Sequence, residues 1–381
     1  MKVLILGSGS YVFGEDQNHG TIFPALIEFS KSVDLDISVA TRSEFSANNV
    51  KERASFLLKI CPSNGIKSLS VVPSLSDLSA LSTYIQSHSF DCCIIALPDH
   101  VHYDYCKFSI DHKLPFLIVK PFTLSFDHAN TLVQLSQQSR IPGFVEFHKR
   151  FDRQARIAKQ SIFKSSLGNL LYSFTEYAQQ KKNPLTVFQS WSSQTNIFSY
   201  LAVHYVDLFY FLTGFRPIRV CATAQSSFLS RHGISTYDSI QCLIQWSGQG
   251  QDVTQVICCN WIESDLAPFM SRQSMHLVGT NGRLDLTQDN RGVSLLTDEH
   301  SLSILNPDFS RLYQTASDSR FEGYGIDSII SFLLHIQGLP ISFPMDCLCP
   351  IEEALISTSV LDSVGVSLSQ SSSWISIGQA S

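Results

Sequence analysis

With 381 residues, 44% of them hydrophobic and 16% charged, the chain is long enough for two domains of ordinary size and too apolar for a disordered or fibrous protein. Its net charge of -6 argues against broad nucleic-acid binding, which needs a basic stripe that the doublets Lys149-Arg150 and Lys181-Lys182 do not supply. No segment reaches the roughly 18 uninterrupted apolar residues of a membrane helix, and the run after Met1-Lys2 is too short for a signal-peptide core, so a cytoplasmic protein with no membrane contact is expected.

Through the first 150 residues, short apolar runs alternate with longer stretches of helical spacing. KVLIL opens the series and TIFPALIEFSKS follows it. DISVAT precedes FSANNVKERASFLLKI, and SLSVVP precedes SDLSALSTYIQSH. DCCIIAL, then PFLIVK with FDHANTLVQLSQQSR behind it, and PGFVEF complete the pattern. The short runs read as parallel strands buried on both faces. Their alternation with helices predicts an α/β doubly wound parallel sheet, with ligands at the carboxyl ends of its strands.

After Phe151 the pattern changes. GNLLYSFTEYAQQ reads as a strand and residues 196–212 as a long helix. RVCATAQSSF, DSIQCLIQWS, DVTQVICCNWIES, SMHLVGT and GRLDLTQ then alternate with period two, and Thr280-Asn281-Gly282 marks a hairpin. Residues 324–340 and 350–368 read as closing helices, before the Ser-rich tail QSSSWISIGQAS. An α+β domain with an open, mainly antiparallel sheet is therefore expected over residues 151–381, after an α/β domain over 1–150.

Ten cysteines are present without any C-x-x-C. Cys92-Cys93 and Cys258-Cys259 lie inside strand-like runs, so neighbouring thiols point to opposite faces. Reduced, buried thiols and no metal site are expected.

The first strand runs into Gly7-Ser8-Gly9, a turn in which the backbone can approach a pyrophosphate because no Cβ intrudes. Val12 stands where a third glycine of G-x-G-x-x-G would be, and YVFGEDQNH reads as a loop before the helix, with Gly14 or Gly20 relieving the crowding. Set after the first strand of a strand–helix alternation, the turn reads as a dinucleotide site. The second strand ends in Thr41-Arg42-Ser43, not in an acid, although Glu44 is near. An acid there accepts from the ribose 2′-hydroxyl, whereas an Arg suits a 2′-phosphate, so NADP is preferred and NAD stays possible.

Further pieces follow in order. Leu97-Pro98-Asp99-His100-Val101-His102 comes after the fourth strand, Lys120-Pro121 after the fifth, and Phe147-His148-Lys149-Arg150-Phe151-Asp152 after the sixth. Downstream stand His204-x-x-Asp207 and Gly279-Thr280-Asn281-Gly282. In this order the chain resembles the glucose-fructose oxidoreductase, inositol dehydrogenase and rhizopine-catabolism (Gfo/Idh/MocA) family along nearly its whole length. The resemblance implies a Rossmann domain and an open-sheet domain whose outer face forms homo-oligomers. It also implies NAD(P)-dependent oxidation or reduction of a sugar, cyclitol or sugar derivative. The family's Glu-Lys-Pro stands here as Val119-Lys120-Pro121, and its Asp-x-x-x-His as Tyr200 to His204.

Carried onto these positions, the resemblance makes Lys120, His204 and Tyr200 the catalytic candidates. A histidine suits removal of a hydroxyl proton, and an ammonium suits a developing alkoxide. Tyr200 and His204, four apart, share a helix face, with Asp207 one turn on. The Tyr200 phenol either assists the substrate from the cleft or packs in the core. Cofactor contacts are expected from Gly7, Gly9, Ser10, Tyr11, Thr41, Arg42, Ser43, Pro98, His102 and Lys120. Substrate contacts are expected from Lys181, Gln189, Trp191, Asn196 and Asp207, with Trp191 either covering a sugar face or joining the core. Two other readings stay open on this scaffold. One is a non-redox enzyme that recycles a bound nicotinamide during elimination or glycoside cleavage; the other is an NADP-binding protein without turnover.

Overall fold

The structure is a computed structural model that describes residues 1–15, 18–72, 75–298 and 301–378. Asp16 and Gln17 of the expected loop, Pro73 at the end of SLSVVP, and residues 379–381 of the tail lie outside the described residues. In chain order the elements begin β1 (Lys2–Leu6), α1 (Ser10–Phe13), α2 (Ile22–Ser30), β2 (Leu35–Ala40), α3 (Glu44–Ile60), β3 (Ile66–Val72) and α4 (Leu78–Ser87). Next come β4 (Cys92–Ile95), α5 (His102–Asp111), β5 (Phe116–Val119), α6 (Phe126–Ser139), β6 (Gly143–Glu146) and α7 (Arg153–Phe163). β7 (Leu170–Gln180), α8 (Val203–Thr213), β8 (Arg216–Gln225), α9 (Phe228–Arg231), β9 (Ser239–Gly248) and β10 (Gln251–Glu263) follow. Then come β11 (Ser271–Gly279), β12 (Gly282–Thr287), β13 (Val293–Leu295), β14 (Ser303–Leu305), β15 (Arg311–Gln314) and β16 (Ser319–Glu322). α10 (Tyr324–Ile336), β17 (Cys349–Pro350), α11 (Ile351–Ser369) and β18 (Ile375–Ser376) close the chain.

The chain forms two compact units. One holds residues 1–122, 130–152 and 308–352, and the other holds 123–129, 153–307 and 353–381. This departs from the consecutive division 1–150 and 151–381, because residues 308–352 return to the first unit. There α10 packs against α2, and β17 pairs antiparallel with β6.

The first unit's seven-stranded sheet has the order β17-β6-β5-β4-β1-β2-β3. β1 pairs in parallel with both β2 and β4, so the strand order reverses beside it. β1, β4 and β6 are buried on both faces, which matches their unbroken apolar runs. Local signals start the flanking helices. The Ser43 side chain caps α3 by accepting from Ser46 N, and Asp77 caps α4 by accepting from Ser79 N and Ala80 N. The helical turn α1 begins directly after Gly9, earlier than the loop expected there. α5, whose polar sequence HYDYCKFSID gave no helical pattern, crosses from β4 to β5.

The second unit's sheet has the order β12-β11-β7-β10-β9-β8-β18. β7 and β10 run parallel and the other pairs antiparallel. Thr280 and Asn281 form the hairpin loop between the paired Gly279 and Gly282. The expected helix over 196–212 divides into a π-helical turn, Phe198–Ala202, and α8, which ends at left-handed Gly214. Trp246, Trp261, Tyr205 and Phe209 are fully buried in this unit. Gln255 ties sheet to helix, accepting from Trp246 Nε1 at 3.1 Å and donating to the Tyr205 carbonyl at 2.9 Å. Among the described residues no helix is long and apolar enough to cross a membrane.

Candidate functional site

In the first unit, the point where strand order reverses gathers the glycine turn and the ends of β4, β5 and β6. Gly7 has φ +113°, and a Cβ there would stand 2.1 Å from the Ala96 carbonyl oxygen, so glycine is required where β1 passes β4. Gly9 differs: its φ is −72° and a Cβ would meet nothing within 4 Å. No atom of the described residues explains that glycine, and the open space is what close approach of a ligand would use. Gly14 and Gly20 close the loop behind α1, where a Cβ on Gly20 would lie 2.6 Å from Gly14 N. Ser10 and Tyr11 are half-buried at the start of α1.

At the end of β2, Thr41 is fully buried and its hydroxyl donates to the Ser43 carbonyl at 3.2 Å. Arg42 is exposed. Ser43 has a defined task, capping α3, whose backbone amides open beside Arg42.

Past β4, Pro98 is half-buried and precedes the 3-10 turn Asp99–Val101. His102 was expected against the cofactor, but its ring is fully buried. Nδ1 lies 2.6 Å from the Pro121 carbonyl oxygen and Nε2 2.8 Å from that of Leu97. The imidazole thus ties the loop after β4 to the one after β5. Burial pulls its pKa down, with Lys120 adding to the fall, while Asp99 and the two carbonyls oppose it.

Lys120 follows β5 and joins Pro121 through a cis peptide bond. Burial brings its ammonium down from the ordinary 10.5 to about 8, against Asp99 and Glu146, which hold it up. A group at that value exchanges a proton close to neutral pH. Glu146, 2% exposed, sits in register with Val119 across β5 and β6. Its carboxylate accepts from Ser328 Oγ at 2.7 Å, and His148 Nδ1 lies 3.2 and 3.1 Å from its two oxygens. The sequence placed Asp99 and His148 inside the ordered motifs without giving either a role, and Glu146 and Ser328 were missed. For Glu146 a visible signal existed, an acid inside the apolar run PGFVEF.

In the second unit, Tyr200 lies half-buried on the π turn, ringed by Phe188 at 5.0 Å, Trp191 at 5.7 Å and Trp261 at 5.9 Å between ring centroids. Trp191 stacks on Phe188 at 4.8 Å. Asn196 turns its carboxamide oxygen back to accept from Phe198 N and Ser199 N, each at 3.0 Å, so it starts the turn that carries Tyr200. His204 and Asp207 are buried on α8. The change of helical pitch between residues 202 and 203 falls between Tyr200 and His204. Lys181 lies over the Phe228 ring at 5.2 Å, and Gln189 is exposed. The structure thus brings Trp191, Asn196 and Tyr200 together, while Lys181 packs toward α9.

The cysteines are free thiols, eight of them buried and Cys221 and Cys258 half-buried. Among the described residues no cluster of three or more His, Cys, Asp or Glu could hold a metal ion.

No known family model matches the chain. A curated protein named an uncharacterized oxidoreductase, from Streptococcus pneumoniae, is 23% identical over 146 residues. That match spans 38% of this chain and only 40% of the relative's length. Solved structures match nearly end to end. Scyllo-inositol dehydrogenase from Lactobacillus casei, with bound NAD(H) and scyllo-inositol, has a TM-score of 0.69 at 12% identity, over 99% of this chain and 98% of that one. Myo-inositol 2-dehydrogenase from Lactobacillus plantarum gives 0.69 at 13%, over 99% of both chains. An oxidoreductase from Agrobacterium radiobacter in complex with NAD+, L-tartaric acid and magnesium gives 0.68 at 16%, over 99% of this chain and 98% of that one. At these identities the likeness establishes the fold.

Proposed function

We propose that the chain belongs to the Gfo/Idh/MocA family. In this reading it is an NAD(P)-dependent oxidoreductase acting on a secondary alcohol or ketone of a sugar, cyclitol or sugar derivative. The observation that carries this reading is Lys120, whose ammonium stands at about 8 beyond a strand of a doubly wound sheet. The likeness to dehydrogenases solved with NAD(H) and scyllo-inositol supports the same substrate class. Gly7 and Gly9 would admit the pyrophosphate, with Ser10, Tyr11 and Pro98 beside it. A bound nicotinamide supplies or accepts the hydride. Lys120 Nζ steadies the substrate oxygen as charge develops on it. His204 takes the hydroxyl proton, and Tyr200, Trp191 and Asn196 contribute on the substrate side.

The capped start of α3 and the exposed Arg42 support NADP over NAD. Arg42→Ala should weaken NADP more than NAD in calorimetric titration, since a charge-assisted contact exceeds a neutral one. Equal weakening would remove Arg42 from cofactor selection. The catalytic reading itself is tested by following nicotinamide absorbance with inositols, sugars and their keto forms in both directions. Substrate-dependent change with at least one compound is expected. Tight cofactor binding with no change for any would favour a protein without turnover.

A further inference from the structure

Buried carboxylates need partners, and those of Glu146 come from three directions within the first unit. Ser328 of α10 donates its hydroxyl at 2.7 Å. His148, in the turn after β6, presents Nδ1 at 3.1 and 3.2 Å, and only an N–H there suits a carboxylate. Tyr11 of α1 lies 3.3 Å from that same Nδ1. The Tyr11 hydroxyl is also hydrogen-bonded to the Glu146 carboxylate, which can only accept, so the phenol donates to it. Phe309 and Tyr324 close over the imidazole, with ring centroids 5.0 and 5.7 Å from it. Three donor groups fill most of the carboxylate's roughly four acceptor sites. They hold a negative charge at a fixed point beside the end of β5, in register with the residue before Lys120.

We infer that Glu146 is a positioning residue for Lys120: a carboxylate locked by Ser328, His148 and Tyr11 on the strand beside β5, whose charge acts on the ammonium beyond that strand. Burial pushes the Tyr11 phenol well above its ordinary value, with the Glu146 charge next in effect, which keeps it a donor to the acid. The charged and titratable groups of the first unit that act on Lys120 include Asp99 from the turn after β4, Glu146 from β6 and His102 from α5. Glu146 is itself faced by His148 and Tyr11, with Tyr324 close to Tyr11. The inference deepens the catalytic reading of Lys120, but its test needs neither cofactor nor substrate.

Trace acetylation of the full-length protein with acetic anhydride, read by mass spectrometry on the Lys120 peptide across pH, gives the titration of that amine directly. Wild-type Lys120 should titrate near 8. In Glu146→Gln, which keeps the shape and removes the charge, it should titrate at least about 0.5 pH lower. If that variant does not fold, Glu146→Asp keeps the charge on a shorter arm and should give a smaller fall in the same direction. A Lys120 titration unchanged in the folded variants, or lowered by Asp99→Asn alone, would overturn the inference. Because the amine is read in the ligand-free protein, this outcome is independent of whether turnover is found.

Discussion

At the scale of single residues, Lys120 has the most to say. Its folded value near 8 lies below the ordinary 10.5, so between those values the unfolded chain binds more protons than the folded one. The cost of holding the cation is fully present below about 8 and disappears as pH rises toward 10.5. Wild-type stability should therefore gain on that of Lys120→Met through this window and run parallel to it below, measured by denaturant unfolding at several pH values. A constant difference up to pH 10.5 would contradict the burial account of the lysine. His102 shows how sequence order and structural role part company. It follows β4 as the motif required, yet both ring nitrogens face backbone carbonyls.

Elements divide by whether their signal is local. The strands β1, β2, β4, β5 and β6 were legible because each is an apolar run buried on both faces, and α3 and α4 because caps and amphipathic spacing agree. α1 was not, since four residues after a glycine turn carry no period. β17 is a two-residue strand fixed only by pairing with Val145 and Phe144, about 200 residues earlier in the chain. The Glu146–Ser328 contact spans 182 residues, so no window of sequence contains it. The glycine turn lies between these cases: its presence was legible, but the separate tasks of its two glycines were not. Gly7→Ala puts a Cβ on the Ala96 carbonyl and a side chain at positive φ, and should cost at least about 2 kcal/mol in equilibrium unfolding. Gly9→Ala should change stability by no more than about 0.5 kcal/mol while weakening NAD(P) binding. Equal destabilisation by both would assign the turn to packing alone.

For the whole molecule, the outer face of the second unit's sheet bears on assembly. Register aligns His276, Phe174, Val256, Leu243 and Cys221 in one row across β11, β7, β10, β9 and β8. Tyr172, Phe174 and Leu243 are 46%, 36% and 38% exposed there. If a second copy covers this face, as the family resemblance implies, Phe174→Lys should lower the mass found by sedimentation, with little change in the folded spectrum. A wild-type monomer at the same concentration would contradict it.

We propose that this fold runs nicotinamide chemistry with Lys120 at the reacting oxygen. The most direct test compares wild type with Lys120→Ala in paired assays of cofactor binding and turnover, on whichever inositol or sugar the wild type uses. Lys120→Ala should bind NAD(P) nearly as well as wild type and turn over about 10²–10⁴-fold more slowly. Near-normal turnover in Lys120→Ala would contradict it.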